Sequence, residues 1–151
     1  MRNGGFAVSL RMGHVLWRLG SGLWLGTIFF FFVGIAPTAF REVPMPAAAR
    51  FIDQVFPIYY AVGLWGGGAA MVGAILAAWF SGSRPGWAIA AGGAISWGLV
   101  IYARGLLAEM VPINPQSGQF AALHHQSVVV NTVIMLLLAA CVAWEAWVYP
   151  G

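Results

Sequence analysis

The sequence predicts an all-α integral membrane protein, a bundle of four transmembrane helices. Hydrophobic residues make up 61% of the 151 residues and charged residues only 7%, a balance far from that of an ordinary soluble domain. Within segment 17–36 the only charged residue is Arg18. A helix of about 20 residues is roughly 30 Å long at about 1.5 Å per residue, which matches the hydrocarbon thickness of a bilayer.

Four spans are predicted along the chain, at about 15–37, 55–80, 86–108 and 119–148. Each is long enough to cross a membrane, and none alternates polar and apolar residues as barrel strands do. By length, residues 1–151 form a single four-helix transmembrane domain. Because the number of spans is even, we expect both termini on the same side of the membrane.

The first span follows a basic N-terminal segment, so a cleaved signal peptide is an alternative to a retained helix. The apolar run exceeds the signal-peptide core of about 7–15 residues, and Pro37 follows the only small-residue site, at 34–36. We therefore expect a retained helix. Segment 81–86 predicts a short polar turn, and Asn114 with Pro115 predicts a cap near the start of span four.

Aromatic and basic residues distinguish the two sides of the predicted bundle. Seven aromatic residues typical of an interfacial belt lie on the terminal side: Trp17, Trp79, Phe80, Trp87, Trp144, Trp147 and Tyr149. Four arginines flank the same side, against three on the other: Arg2, Arg11, Arg18 and Arg84, against Arg41, Arg50 and Arg104. This small excess favours cytoplasmic termini, in what we expect to be a bacterial inner membrane.

Small residues spaced four apart predict close helix packing in spans one to three. The pairs are Gly22 with Gly26, Gly63 with Gly67, Ala69 with Gly73, and Ala94 with Gly98. We expect them to pack within the bundle. A seam for a second copy of the chain or for another membrane subunit is the alternative.

Polar residues gather on the side opposite the termini, which predicts a polar pocket there, because charged groups in a bilayer need a partner or a wet cavity. In span four, steps of three and four residues place one stripe toward the bundle: Phe120, His124, Ser127, Asn131, Ile134, Leu138, Cys141 and Glu145. The candidate ligand-binding residues are Arg41, Tyr59, Arg104, His124, Ser127 and Asn131. Asp53 and Glu109 are the expected counter-charges of Arg104.

Interhelical hydrogen bonding that only holds the bundle together is the alternative role for these polar residues. His14 and His124 are predicted on opposite faces of the membrane, so they cannot both bind one haem. His124 and His125 point about 100° apart, unlike the i, i+4 pair that chelates a metal well. We therefore predict no catalytic residue, no metal site and no cofactor. Nucleic-acid binding is disfavoured because the arginines are not clustered.

Several segments resemble the transmembrane-protein-205-like family: WLGTIFFFFVGIAPTAF, VFPIYY, the arginine and prolines that end span three, and FAALHHQSVVVN. The most specific piece is the F-x-x-L-H-x-x-S-x-x-x-N pattern within 120–131. The resemblance implies a small four-span protein that carries a domain of unknown function, and it brings no catalytic mechanism. It implies that eight residues occupy shared positions: Pro37, Arg41, Phe56, Pro57, Arg104, His124, Ser127 and Asn131.

The leading hypothesis is a non-enzymatic membrane protein whose pocket binds or passes a small solute or ion. Besides the lipid bilayer, the expected partners are further copies of the chain or other membrane subunits. One alternative is an accessory or structural subunit of a membrane assembly. Another is a metal- or redox-handling protein, in which Met45 and Met110 could serve as soft ligands for copper(I).

Overall fold

The computed structural model describes residues 3–150, with side chains from residue 5 onward, and folds them into four long helical rods. The first rod consists of α1 (Asn3–Phe30), one π-helical turn (Phe31–Ile35) and α2 (Ala36–Glu42); the others are α3 (Met45–Ser81), α4 (Arg84–Met110) and α5 (Gly118–Val148). All four rods are long and apolar enough to cross a membrane. The predicted class, an all-α bundle of four membrane-spanning helices, is confirmed.

The π-helical turn in the first rod lies directly before Pro37. Proline has no backbone N–H, and its ring clashes with the carbonyl four residues earlier in a regular helix. Here the N–H of Ala36 donates to the carbonyl of Phe31, five residues back, so the turn is wider than an α-turn. The rod therefore continues past the proline, and Phe31 is buried inside the bundle.

Close approach of α1 and α3 forms the main part of the core. A Cβ added at Gly20 would lie 2.7 Å from the backbone nitrogen of Ala70, and one added at Gly73 would collide with the backbone of Trp17. The expected packing within the bundle is wrong for three of the small residues, which have open space where a Cβ would be: Gly22, Gly26 and Gly98. On α1, Gly20 contacts α3 closely, and it does not belong to the predicted pair Gly22 and Gly26.

Trp17 is a core residue and does not belong to an interfacial belt. It is 1% exposed, whereas Trp79 and Trp147 are 69% and 83% exposed. Its indole ring packs beside Gly93, where the missing side chain leaves room for the ring. The glycine on α4 thus makes space for the tryptophan of α1 inside the bundle. Hydrophobicity alone does not predict which tryptophan lies opposite a glycine.

The predicted polar turn between α3 and α4 is present. α3 ends at Ser81 and is capped by Gly82, which has a left-handed φ of 63° that favours glycine. Ser83 caps α4 by accepting a hydrogen bond from the N–H of Gly86 at 3.1 Å. Its hydroxyl also contacts that of Tyr149, so the turn lies beside the end of α5.

The cap of α5 is Ser117, not Asn114 as the sequence suggested. The Ser117 hydroxyl accepts a hydrogen bond from the N–H of Phe120 at 3.1 Å. The side-chain oxygen of Asn114 instead accepts from the N–H of Gln116 at 2.9 Å. The asparagine thus shapes the loop, and the helix starts three residues later than its proline suggested.

Candidate functional site

A cavity of about 180 Å³ lies among the first rod, α3, the end of α4 and the beginning of α5. We call it the pocket. Its walls are mostly apolar, and they include Phe31, Phe56, Leu107 and Met110. Polar side chains enter from α3 and α5 only: Tyr59, Tyr60, His124, Ser127 and Asn131. Four of the six predicted site residues therefore line one space, and Tyr60 joins them.

Aromatic rings form one wall of the pocket. The ring of Phe31 lies 4.9 Å from that of Tyr59 and 5.2 Å from that of Phe56. Tyr59 and Tyr60 meet edge to face at 5.0 Å, and Phe56 stacks on Tyr60 at 6.2 Å. Because such pairs prefer defined geometries, the rings hold one another in place. Phe31 reaches this cluster from the π-helical turn.

A hydrogen-bond network centred on Asn131 joins α3 to α5 at the pocket. The Tyr59 hydroxyl donates to Oδ1 of Asn131 at 2.8 Å. Nδ2 of Asn131 donates to the carbonyl of Ser127 at 2.9 Å and to the hydroxyl of Tyr60 at 3.2 Å. Both N–H groups of the amide are used, and its oxygen has a donor. Asn131, 4% exposed, is thus well satisfied.

The hydroxyls of Tyr60 and Ser127 are less well paired. Their oxygens are 3.5 Å apart, at the outer limit of a hydrogen bond. Each hydroxyl carries one proton, and a bond between them uses only one of the two. At least one O–H donor therefore has no strong acceptor among the residues that the structure describes, and both side chains line the pocket.

His124 lies at the exposed margin of the pocket, one turn of α5 before Ser127. Its ring stacks on that of Phe120, with centroids 6.1 Å apart and planes 5° from parallel. The imidazole therefore lies beside an aromatic ring at the margin of the pocket. His124 is therefore placed to contact a molecule that enters, and it does not share in the Asn131 network.

Arg41 and Arg104 do not line the pocket. Arg41 pairs with its neighbour Glu42 at 2.7 Å, and both side chains are more than half exposed. Arg104 is exposed on α4, and the expected pairing with Asp53 or Glu109 is absent from the ion pairs of the described residues. On α4 the pocket is lined by Leu107 and Met110, and Arg104 is not among its lining residues. The charge that the sequence assigned to the pocket lies outside it.

A second polar cluster lies at the other end of the bundle, and the sequence interpretation missed it. Glu145 of α5 is 3% exposed, and its Oε1 is 2.9 Å from Nδ1 of His14. Nε of Arg18 donates to both carboxylate oxygens at 3.1 Å. We call these three residues the charged cluster. Polar residues therefore gather at both ends of the bundle, and not only opposite the termini as the sequence suggested.

Two signals in the sequence could have revealed the charged cluster. His14 and Arg18 are four residues apart, so they share one helix face. Glu145 belongs to the α5 stripe that was predicted to face the bundle. A carboxylate on an inward stripe needs a cation, and an inward-facing His and Arg on a neighbouring helix are its natural partners.

A protein-family model matches residues 19–111, and its description is Domain of unknown function (DUF4149). The chain belongs to the DUF4149 family. No curated protein and no solved structure matches the chain. The DUF4149 match runs from the middle of α1 to the end of α4. It includes Tyr59, Tyr60 and Arg104 and stops before α5, which supplies His124, Ser127 and Asn131 to the pocket.

Proposed function

We propose that this membrane protein binds a small, uncharged and largely apolar molecule in the pocket, one that carries a hydrogen-bond acceptor such as a carbonyl oxygen. The observation that carries the proposal is the incompletely paired hydroxyls of Tyr60 and Ser127 on the wall of an apolar cavity. An acceptor on a bound molecule would take the spare O–H. Binding sites of this kind are mostly apolar, with a few polar groups that orient the ligand.

The size and shape of the cavity support a ligand of about one aromatic ring. The pocket measures about 180 Å³. An apolar protein cavity of about 150 Å³ is large enough to bind benzene. The rings of Phe31, Phe56 and Tyr59 offer edges and faces for a further aromatic ring. Compact aromatic ketones, aldehydes or esters therefore fit the chemistry of the walls.

The same geometry favours a neutral solute over an ion. Arg41 and Arg104, which the sequence suggested would set the charge of the site, lie away from the cavity. The lining residues that the structure describes include no carboxylate, lysine or arginine, and the imidazole of His124 is the only basic group among them. An ion in this pocket would lose its hydration without gaining a counter-charge, which is strongly unfavourable.

The test compares two probes of nearly the same shape, acetophenone and ethylbenzene. We expect acetophenone to bind about three- to tenfold more tightly, the effect of one neutral hydrogen bond. Isothermal titration of the detergent-solubilised protein, with empty micelles as the blank, measures both affinities. Equal affinities for the two probes would contradict the proposal.

Variants locate the binding. The double substitution Tyr60→Phe and Ser127→Ala removes both hydroxyls and should abolish the preference for acetophenone. Ala36→Phe places a ring in the pocket and should abolish binding of both probes. Thr132→Val, which removes an exposed hydroxyl from the same helix, is the matched control and should leave both affinities unchanged.

A second candidate function, an accessory subunit of a membrane assembly, is supported by the fully paired amide of Asn131. In that case the network only holds α3 to α5. Mild detergent extraction from native membranes should then recover a stoichiometric partner. Recovery of this chain alone, or as copies of itself, would favour the pocket function.

We further propose that both termini face the cytoplasm across a bacterial inner membrane. Support comes from the excess of arginine on the terminal side, to which Arg2, outside the described residues, contributes. Single cysteines introduced as Arg41→Cys and His125→Cys, with Cys141→Ala as the background, should both react with an impermeant maleimide from the periplasm. Labelling of only one of them would contradict the shared side.

The resemblance to the transmembrane-protein-205-like family also stays a proposal. Its support is the motif in α5 that is most specific to that family, F-x-x-L-H-x-x-S-x-x-x-N. The three polar residues of this motif, His124, Ser127 and Asn131, all line the pocket.

A further inference from the structure

A groove of about 550 Å³ runs along the outer faces of α3 and α4. Tyr60 and Leu107 line both the groove and the pocket, so they form the wall between the two spaces. Trp97 anchors one end of the groove, because its Nε1 donates to the carbonyl of Leu64 at 3.0 Å. Arg104 follows Trp97 by seven residues, which places it about 10 Å further along α4.

Arg104 is the charged residue of this groove. Its side chain has no hydrogen-bond acceptor and no carboxylate partner among residues 5–150. An arginine facing a bilayer without a partner is unfavourable, and such residues extend toward the headgroups or bind a counter-charge. Arg104 lies six residues before the end of α4, about 9 Å from that end, so headgroups are within reach of the guanidinium.

The remainder of the groove is shaped for a hydrocarbon chain. Small side chains, Ala61 and Ala108, leave the space open, and Trp65 and Trp97 border it. Trp65 is 83% exposed, so its indole is free to contact an acyl chain that lies in the groove. The groove thus combines one unpaired cation with a long apolar floor, and the complementary molecule is an amphiphile with an anionic head.

We propose that the groove binds an anionic phospholipid, with the headgroup phosphate on Arg104 and one acyl chain lying toward Trp65 and Trp97. A guanidinium pairs with phosphate oxygens through two parallel N–H bonds, which a point charge cannot do. Basic pockets between transmembrane helices bind anionic headgroups in the same manner. A zwitterionic lipid carries its own ammonium group beside the phosphate, so it should bind more weakly.

Native mass spectrometry of the purified protein tests the proposal, with phosphatidylglycerol and phosphatidylcholine of identical acyl chains as the probes. We expect about a tenfold preference for phosphatidylglycerol, the effect of one charge-assisted contact. Arg104→Gln should reduce the two lipids to equal binding, and Arg104→Lys should keep part of the preference. Arg50→Gln removes an exposed arginine elsewhere on α3 and should change nothing.

A second pair of variants tests the acyl-chain part of the site. Ala108→Phe fills the groove and should lower binding of both lipids, whereas Ala140→Phe, at an exposed position of α5, should not. Three outcomes would overturn the proposal. They are equal binding of the two lipids to the unaltered protein, a preference for phosphatidylglycerol that survives in Arg104→Gln, and binding of glycerol phosphate alone as tight as that of phosphatidylglycerol.

Discussion

The pocket and the charged cluster lie at opposite ends of the bundle and solve the burial of polar groups differently. At the pocket, hydroxyls and one amide join α3 to α5, and about 180 Å³ stays open. At the charged cluster, a carboxylate, an imidazole and a guanidinium join α1 to α5, and only about 10 Å³ remains. A buried charge needs its partner in contact, whereas a hydroxyl tolerates incomplete pairing at a lower cost.

This difference assigns different roles to the two ends. The charged cluster leaves only about 10 Å³ open, and its contacts join the first rod to α5. At the pocket, the incompletely paired hydroxyls of Tyr60 and Ser127 lie beside an open space, and the proposed binding function rests on this arrangement. Substitutions should therefore affect stability most at the charged cluster and binding most at the pocket.

The largest effect on stability is expected from removing both partners of Glu145 in the charged cluster with His14→Leu and Arg18→Leu. Glu145 would stay buried without a cation, and the free energy of unfolding should fall by about 3–5 kcal/mol. Unfolding in mixed micelles of increasing denaturing detergent measures the loss.

The triple variant that adds Glu145→Leu is the control for that loss. Replacing a whole buried ion cluster by apolar side chains is often neutral or stabilising, so most of the stability should return. If the triple variant were as unstable as the double one, lost packing rather than an uncompensated carboxylate would be the cause, and the contrast between the two ends would weaken.

A smaller loss is expected from Asn131→Leu at the pocket. The hydroxyls of Tyr59 and Tyr60 would lose their partner in the amide, and the free energy of unfolding should fall by about 1–3 kcal/mol. Adding Tyr59→Phe removes one orphaned hydroxyl and should restore part of it. A loss equal to that at the charged cluster would show that leaving neutral groups unpaired costs as much stability here as leaving a carboxylate unpaired.

The fold was predictable because a bilayer sets the length and the apolar composition of the helices that cross it. Length and apolar composition alone predict the four rods, and the three-four spacing in α5 correctly turned Ser127, Asn131 and Glu145 inward. These predictions need only local sequence, because a long apolar segment in lipid must be helical and a polar side chain in it must face protein.

The details of the site were less predictable because they depend on how each helix is rotated against its neighbours. The side of the bundle on which it lies predicts Arg104 at the pocket, but among these α4 residues it is Leu107 that lines the pocket. Tyr60 also lines the pocket, although it is not among the residues that the sequence predicts there. Consecutive residues on a helix point about 100° apart, so burying both requires protein on two sides of α3, and local sequence does not contain this information.

Leu107→Ala should connect the pocket to the groove on α3 and α4. Leu107 is half-buried, so we expect about 1–2 kcal/mol of lost stability, less than for a fully buried leucine. The main effect should be kinetic, with faster binding of acetophenone because the wall has been thinned. Stopped-flow quenching of tryptophan fluorescence measures the rate. Leu136→Ala, on a 60% exposed side chain of α5, is the control and should leave the rate unchanged.

The smallest effect is expected from Arg41→Gln. Arg41 and Glu42 form a close pair at 2.7 Å, yet their side chains are 71% and 61% exposed. Water screens an exposed pair, so its loss should change the free energy of unfolding by no more than about 0.5 kcal/mol. Acetophenone affinity should also stay the same, because Arg41 does not line the pocket. A marked drop in that affinity would show that the charge of Arg41 acts on the pocket. The contrast between an uncharged pocket and a charged cluster would then be wrong.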